Sequence, residues 1–142
     1  MQVDFAFLCD AANQHGSTIN ALGVGIDTFW ASSVPFTRPS FHIVARVRAS
    51  AAEAGEKDLQ IRFIDADGQN VVPAITGKFT VQSPRRGTTS AVNLAIAMNN
   101  VRFERFGDYS IHVVISGEER AVLPVHVVQS EQRQQGSQQQ NA

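Results

Sequence analysis

Cysteine occurs once in the 142 residues, at Cys9, so the chain can form no internal disulfide and is no disulfide scaffold. Charged residues are scarce, at 18%. They balance to a net charge of −1 with a pI near 6.4, which leaves no overall attraction to nucleic acid or to an anionic membrane. No apolar run approaches the ~18 residues that a membrane helix needs. No Lys or Arg precedes Arg38, and a strand pattern begins at Val3. No signal peptide is therefore expected, and the cytoplasm is the expected compartment. Helical periodicity is missing throughout. Tyrosine and tryptophan occur once each against nine phenylalanines, which points to a Phe-filled core. A 43% hydrophobic chain of this length suffices for one domain. It can bury roughly two-thirds of its unfolded surface without metal or disulfide.

What the chain does have is alternation, clearest in Phe106–Gln129. Tyr109, Ile111, Val113 and Ile115 alternate with Ser110, His112 and Ser116, and Val114 is the exception on the mixed face. Ala121, Leu123, Val125 and Val127 continue the pattern against Arg120, Val122, Pro124, His126 and Val128. Gly117-Glu118-Glu119 is the expected reversal. The two apolar sets share parity, and opposed residues face one side, so the turn must hold an odd number of residues, most simply three. Pro124 lacks a ladder donor and is expected at an edge or bulge. Gly107-Asp108-Tyr109 is the expected turn into the hairpin.

Upstream, Val3, Phe5, Phe7 and Cys9 alternate with Asp4, Ala6, Leu8 and Asp10 in a first strand, apolar enough on both faces to be central. Ala11 to Ser17 reads as a turn-rich connection. Leu22, Val24, Ile26, Thr28 and Trp30 form a second strand, with Gly23 and Gly25 on its stripped face. Ser32 to Pro39, with Pro35 and Pro39, reads as a loop. Phe41 to Arg48 is a third strand, and Ala49 to Lys57 a connection too short for an independent helix. Leu59, Ile61 and Phe63 make a fourth strand, closed by the turn Asp65 to Asn70. Val71, Val72 and Ile75 form a short fifth. Phe79 and Val81 begin a sixth, ended by Ser83 to Gly87. Val92, Leu94, Ile96 and Met98 make a seventh. A turn at Asn99-Asn100 then leads through Val101, Phe103 and Phe106 to the hairpin. About eight or nine short strands with turn signals between them predict a single antiparallel β-sandwich over residues 1–129. Residues 130–142 are Gln-rich and read as a disordered tail.

Three segments resemble a known family. They are Leu8-Cys9-Asp10-Ala11-Ala12-Asn13 with Gly16-Ser17 and Asn20 to Gly25; Leu59 to Gly68; and Gly107-Asp108-Tyr109 with Ile115-Ser116-Gly117-Glu118. Over most of residues 3–128 the chain resembles a family of small uncharacterised bacterial proteins, common in actinobacteria and classed as a domain of unknown function. The second and third segments are also similar to many immunoglobulin-like sandwiches. The resemblance implies a β-sandwich, assigns no activity, and brings no catalytic or binding residues with it.

Candidate chemistry is sparse. His112 and His126 share the mixed face of the hairpin. With a three-residue turn they would lie opposite or diagonal, within roughly 5–8 Å. Two imidazoles at that distance could begin a zinc or nickel site, but no third ligand is apparent. Asp65-Ala66-Asp67-Gly68 resembles a calcium loop. Its Gly stands fourth rather than sixth and Thr76 takes the twelfth position, so a hairpin turn is the expected reading. Gly23-Val24-Gly25 lacks the third glycine of a dinucleotide fingerprint and precedes no helix. Its bare face suits close approach of a backbone or ring, or a ligand groove. Arg46, Arg48 and Arg62, with Arg38 near, could make an anion or RNA patch. Exposed aromatics are not interleaved, and Glu53, Glu56 and Asp58 dilute the charge, so a solvated face is expected. Arg85-Arg86 reads likewise. There is no Gly-X-Ser-X-Gly elbow, Cys9 shares its face with Phe5 and Phe7, and Asp4 and Asp10 are too far apart to act as a pair.

No catalytic residue and no cofactor are therefore expected. The expectation is a non-catalytic protein-interaction or self-assembly module, binding another protein or a second copy through strand edges or loops. The alternative is a small-ligand- or metal-binding sandwich using the His112/His126 face or the Gly23/Gly25 groove. Neither nucleic acid nor membrane is an expected partner.

Overall fold

The computed structural model describes residues 1–131; from residue 132 on, the expected tail lies outside the described residues. The described chain is all-β. Its strands are β1 (Gln2–Cys9), β2 (Ala11–His15), β3 (Thr18–Leu22), β4 (Thr28–Ala31), β5 (Phe36–Ser50), β6 (Gly55–Asp65), β7 (Ile75–Val81), β8 (Thr89–Phe103), β9 (Gly107–Ile115) and β10 (Glu118–Gln129). A single 3-10 turn, Ala51–Glu53, separates β5 from β6. They build three sheets, ordered β1-β5-β8, β4-β10-β9-β6-β7 and β2-β3. All neighbours are antiparallel except β4, which runs parallel to β10. Among the described residues no helix is long and apolar enough to cross a membrane.

Period-two alternation decides what each strand buries. Phe41, Ile43 and Val47 of β5, with Met98, Val101 and Phe103 of β8, meet Ile61 and Phe63 of β6, Ile111 and Val113 of β9, and Val125 and Val127 of β10 in one core. Phe103 is its hub, with ring centroids of Phe29, Phe36, Phe63 and Tyr109 at 5.7, 6.1, 5.6 and 5.0 Å. Most of these rings meet tilted or edge-on, as aromatic quadrupoles favour. The expected Phe-rich core is present. The two larger sheets approach each other at β1/β10 and at β7/β8, and so curl into a half-barrel.

The C-terminal hairpin satisfies the parity argument by another device. Val113 opposes Ala121, Ile111 opposes Leu123 and Tyr109 opposes Val125, so both apolar sets face the core. The reversal holds two residues, Ser116 and Gly117, with φ of 49° and 83°. A bulge between Glu119 and Ala121 absorbs the odd residue. Pro124 sits as expected. The His126 N–H donates to Asp27 O, so amides of that parity point away from β9. Position 124 lies just ahead of the stretch that β4 covers, and the missing donor breaks no ladder bond.

Other expectations about breakers are corrected. Pro39 and Asn100 do not end strands. They face each other within the β5/β8 ladder, between the pairs Arg38–Val101 and Ser40–Asn99. Asn100 takes φ 52° there, and both strands run 15 residues through the irregularity. Ala11–His15 is not a connection but β2, paired with β3. The expected second strand breaks after Leu22, where Gly23 and Gly25 take φ of 68° and 96°. The N–H groups of Gly25 and Ile26 then bond Leu8 O. Val71 and Val72 lie outside any strand, and Ile75–Val81 is one strand. β1 is a marginal strand, not a central one. It is apolar on both faces because the core takes one and the β2–β3 ribbon covers the end of the other.

Candidate functional site

The ribbon lies over the outer face of the three-stranded sheet and seals Cys9 and Val44 from solvent. Its tip is pinned to β8: Gln14 Nε2 donates to Asn93 O at 2.7 Å, and Asn93 Nδ2 donates to Ser17 O at 2.8 Å. Burial pushes the Cys9 thiol above its ordinary pKa, and its Sγ lies 3.5 Å from Ala11 O. This is a packed thiol, not a nucleophile.

Beside the ribbon tip, alternation on β5 brings Arg46 and Arg48 together. Asp4, carried out at the β1 bulge, lies between them. Arg48 Nη2 is 2.7 Å and Arg46 Nε 3.3 Å from Asp4 Oδ2. On the other side Arg46 Nη1 donates to Asn93 Oδ1 at 2.9 Å, and Arg48 Nη1 to Thr89 Oγ1 at 3.2 Å. The hydrogen bond from Arg48, aided by Arg46, holds the Asp4 carboxyl below its usual pKa. Arg85, on the β7–β8 loop, lines the same cleft of about 430 Å³, together with Ser90 and Asn93. Among the described residues, no carboxylate lines it. Arg62 does not join this group, because it lies in the other sheet opposite His112. Arg38 pairs with Asp10 at 2.9 Å and stacks over Phe29.

The cleft opens onto the start of β8, and β8 ends its sheet. Among the described residues β5 is its only strand partner. From Thr89 to Val101 it carries neither charge nor proline. The other three margins of the two larger sheets are guarded. Lys78 of β7 pairs with Glu56 at 3.1 Å, β1 is bulged between Val3 and Phe5, and β4 is four residues long. Short strands, edge lysines and bulges are how proteins blunt edges against unwanted pairing. The sequence contained the signal, an uncharged run, but not the fact that this strand is marginal. A second exposed feature, an apolar strip, lies on β4 and β10, where Trp30 stands beside Val128 and Val122 follows.

The remaining candidates are placed elsewhere. His112 opposes Val122 and His126 opposes Asp108, because the short turn and bulge set that register. Four residues of ladder, about 13 Å, separate the imidazoles, and the expected pair does not form. His112 Nε2 lies 2.8 Å from Ser110 Oγ, and His126 Nδ1 2.7 Å from Asp108 Oδ1. Among the described residues no three His, Cys, Asp or Glu side chains gather as a metal site. Gly23 and Gly25 form a turn, not a bare strand face. A Cβ on Gly23 would fall 2.1 Å from Asp10 Oδ2, so close approach of that carboxylate excludes a groove there. In the Asp65 turn, Asp65 Oδ1 accepts the N–H groups of Asp67 and Gln69, both at 2.9 Å. Arg105 Nη2 sits 3.3 and 3.1 Å from the Asp65 and Asp67 carboxylates. A guanidinium is therefore the counter-ion where a calcium loop would hold its cation. Tyr109 OH donates to Arg105 O at 2.7 Å, a link that sequence reasoning missed.

Residues 4–128 match a family described as a family of unknown function (DUF6941), and the chain belongs to that family. No curated protein matches it. Among solved structures it is similar to a β-glucosidase from Listeria innocua in complex with isofagomine, at 15% identity and a TM-score of 0.47, over 73% of this chain and 15% of that one. It is also similar to the alkylpurine DNA glycosylase AlkC of Pseudomonas fluorescens bound to DNA containing an abasic site analog, at 13% identity and a TM-score of 0.40, over 70% of this chain and 27% of that one. The chain thus spans a small part of either protein.

Proposed function

We propose that this member of an uncharacterised family is a non-catalytic interaction module, which takes an extended segment of another protein as an added strand on β8. The observation that carries the reading is the 15-residue margin itself, uncharged from Thr89 to Val101 while its counterparts are blunted. Asn93 O already accepts from Gln14, but the other main-chain N–H and C=O groups along such an edge need partners, and an added strand supplies them in register.

An immunoglobulin-like sandwich explains why the edge is open. In that fold strands A, B, E and D form one sheet, and strands C′, C, F and G follow in order in the other. The orders β1-β5-β8 and β7-β6-β9-β10 support this reading. So does Tyr109, which bonds back from the start of β9 to Arg105, as a tyrosine corner does at strand F. Strand D has no counterpart among the described residues, and that leaves β8, in the place of strand E, as the margin.

The test is capture from a lysate of the source organism by the intact chain and by Ala97→Lys in parallel. Position 97 is exposed on β8 and opposes His42. Amide exchange on the reconstituted pair follows. Protection of β8 amides, with capture lost in Ala97→Lys, supports strand addition. Capture that ignores the lysine, or protects the Trp30 strip instead, contradicts it.

A further inference from the structure

We propose that the strand received by β8 runs antiparallel to it and ends in acidic residues, whose carboxylates sit on Arg46, Arg48 and Arg85. The inference rests on the strand-addition reading and adds the partner's direction and charge.

Direction follows from the sheet. Both existing ladders, β1/β5 and β5/β8, are antiparallel. A further antiparallel strand brings its C-terminal end to the start of β8. Ser90 and Asn93, at that start, line the arginine cleft, so strand and cleft form one continuous surface. The two ends of β8 differ in charge. At the far end Arg102 is matched by Glu104 at 2.7 Å. At the near end three guanidinium groups face one carboxylate, Asp4, and Arg85 has no ion-pair partner among the described residues. The imbalance favours an incoming anion at the near end only.

The arginines are also placed in advance. Asp4 on one side, and Asn93 and Thr89 on the other, fix the Arg46 and Arg48 side chains. Less rotamer freedom is then lost when a ligand arrives. Asp4 already fills the Arg48 fork through Nε and Nη2, so an incoming carboxylate meets Arg46 and Arg48 as fixed charges. The match of two parallel hydrogen bonds to a chain terminus or a terminal Asp or Glu is left to Arg85.

The test selects short random peptides with free C-termini against the full chain. Enriched peptides are then synthesised in acidic form and in neutral, amidated form. Acidic residues in the final positions are expected. Neutralising them should weaken Kd about tenfold, and the acidic form should shift the amide NMR signals of Ser90 to Asn93 and onward along β8. Arg85→Gln should weaken binding about threefold, since one partly solvated charge is removed. Arg48→Gln is made together with Asp4→Asn, so that no carboxylate is stranded. That double variant leaves two guanidinium groups and no carboxylate, the same net charge as before, so it should keep its fold and most of the preference for acidic over neutral ends. Adding Arg85→Gln to it should remove most of that preference. Neutral-ended peptides that bind along β8 equally well would overturn the charge and direction but leave strand addition standing. Acidic peptides that move only the arginine signals, or a selection with no enrichment, would overturn strand addition too. A dimer seen by light scattering and dissolved by Ala97→Lys would make a second copy the occupant and overturn the acidic partner.

Discussion

β7 and β8 follow one another in the chain, and each ends a sheet, yet their margins differ. β7 is seven residues long, includes Gly77, and carries Lys78 between Glu56 and Asp58. β8 is twice as long and uncharged until Arg102. Both bury an apolar inner face, so hydrophobicity does not separate them. What separates them is the treatment of the unpaired backbone. A short, charged margin discourages pairing; a long, neutral one invites it. The lesson is that guarding is selective here, and the unguarded margin is the one beside the arginine cleft.

The comparison breaks most visibly through the core. Phe103→Ala on β8 should cost about 3–5 kcal/mol in denaturant unfolding, because it empties the ring cluster's hub. Phe79→Ala on β7 should cost less, since that ring is only partly buried at the rim. Equal losses would mean that the two strands do not differ as scaffold.

A smaller effect is expected at the corner before β9. Tyr109→Phe removes the hydrogen bond to Arg105 O and should lower stability by about 1 kcal/mol. An unchanged unfolding midpoint would deny the corner a structural part.

Exchanging the guards sharpens the contrast without touching the core. Ala97→Lys on β8 and Lys78→Thr on β7 should each alter stability by less than about 0.5 kcal/mol. Capture should nonetheless fail in the first, and concentration-dependent association should rise in the second, read by light scattering. If neither changes, charge at a margin is not what controls pairing.

The last effect is electrostatic, confined to low pH, and lies just past the C-terminal end of β5. The Met1 ammonium, 2.5 Å from Glu53, and then the Ser50 N–H hold the Glu53 carboxyl down at about 2. A carboxyl with a depressed folded pKa adds stability that is present above its unfolded pKa and is lost as pH falls through the folded one. Unfolding midpoints should therefore fall from about pH 4.5 toward 2, and Glu53→Gln should flatten that limb. An identical limb in the variant would assign the slope to other carboxyls.

Much of this architecture was legible in the sequence. Alternation alone identified an all-β chain and the side that Tyr109 to Ile115 buries, because a buried face enforces period two. Parity demanded an odd residue in the hairpin. It could not say whether a longer turn or a bulge would supply it, and that choice set His112 and His126 about 13 Å apart. Pro39 and Asn100 read separately as breakers, because their register across the ladder is a long-range fact. The same holds at the site. Arg46 and Arg48 are neighbours by alternation, but Asp4, Asn93 and Arg85 reach them only through pairing of distant strands. Nothing local marks a strand as the last in its sheet.

The central claim is most directly tested by amide hydrogen exchange on the free chain, residue by residue along β8. An open margin predicts alternation: amides bonded to β5 exchange slowly, and those between them, from Ala91 to Val101, exchange orders of magnitude faster. Slow exchange at every β8 amide would mean that the margin is already occupied, and would contradict an edge held open for a partner.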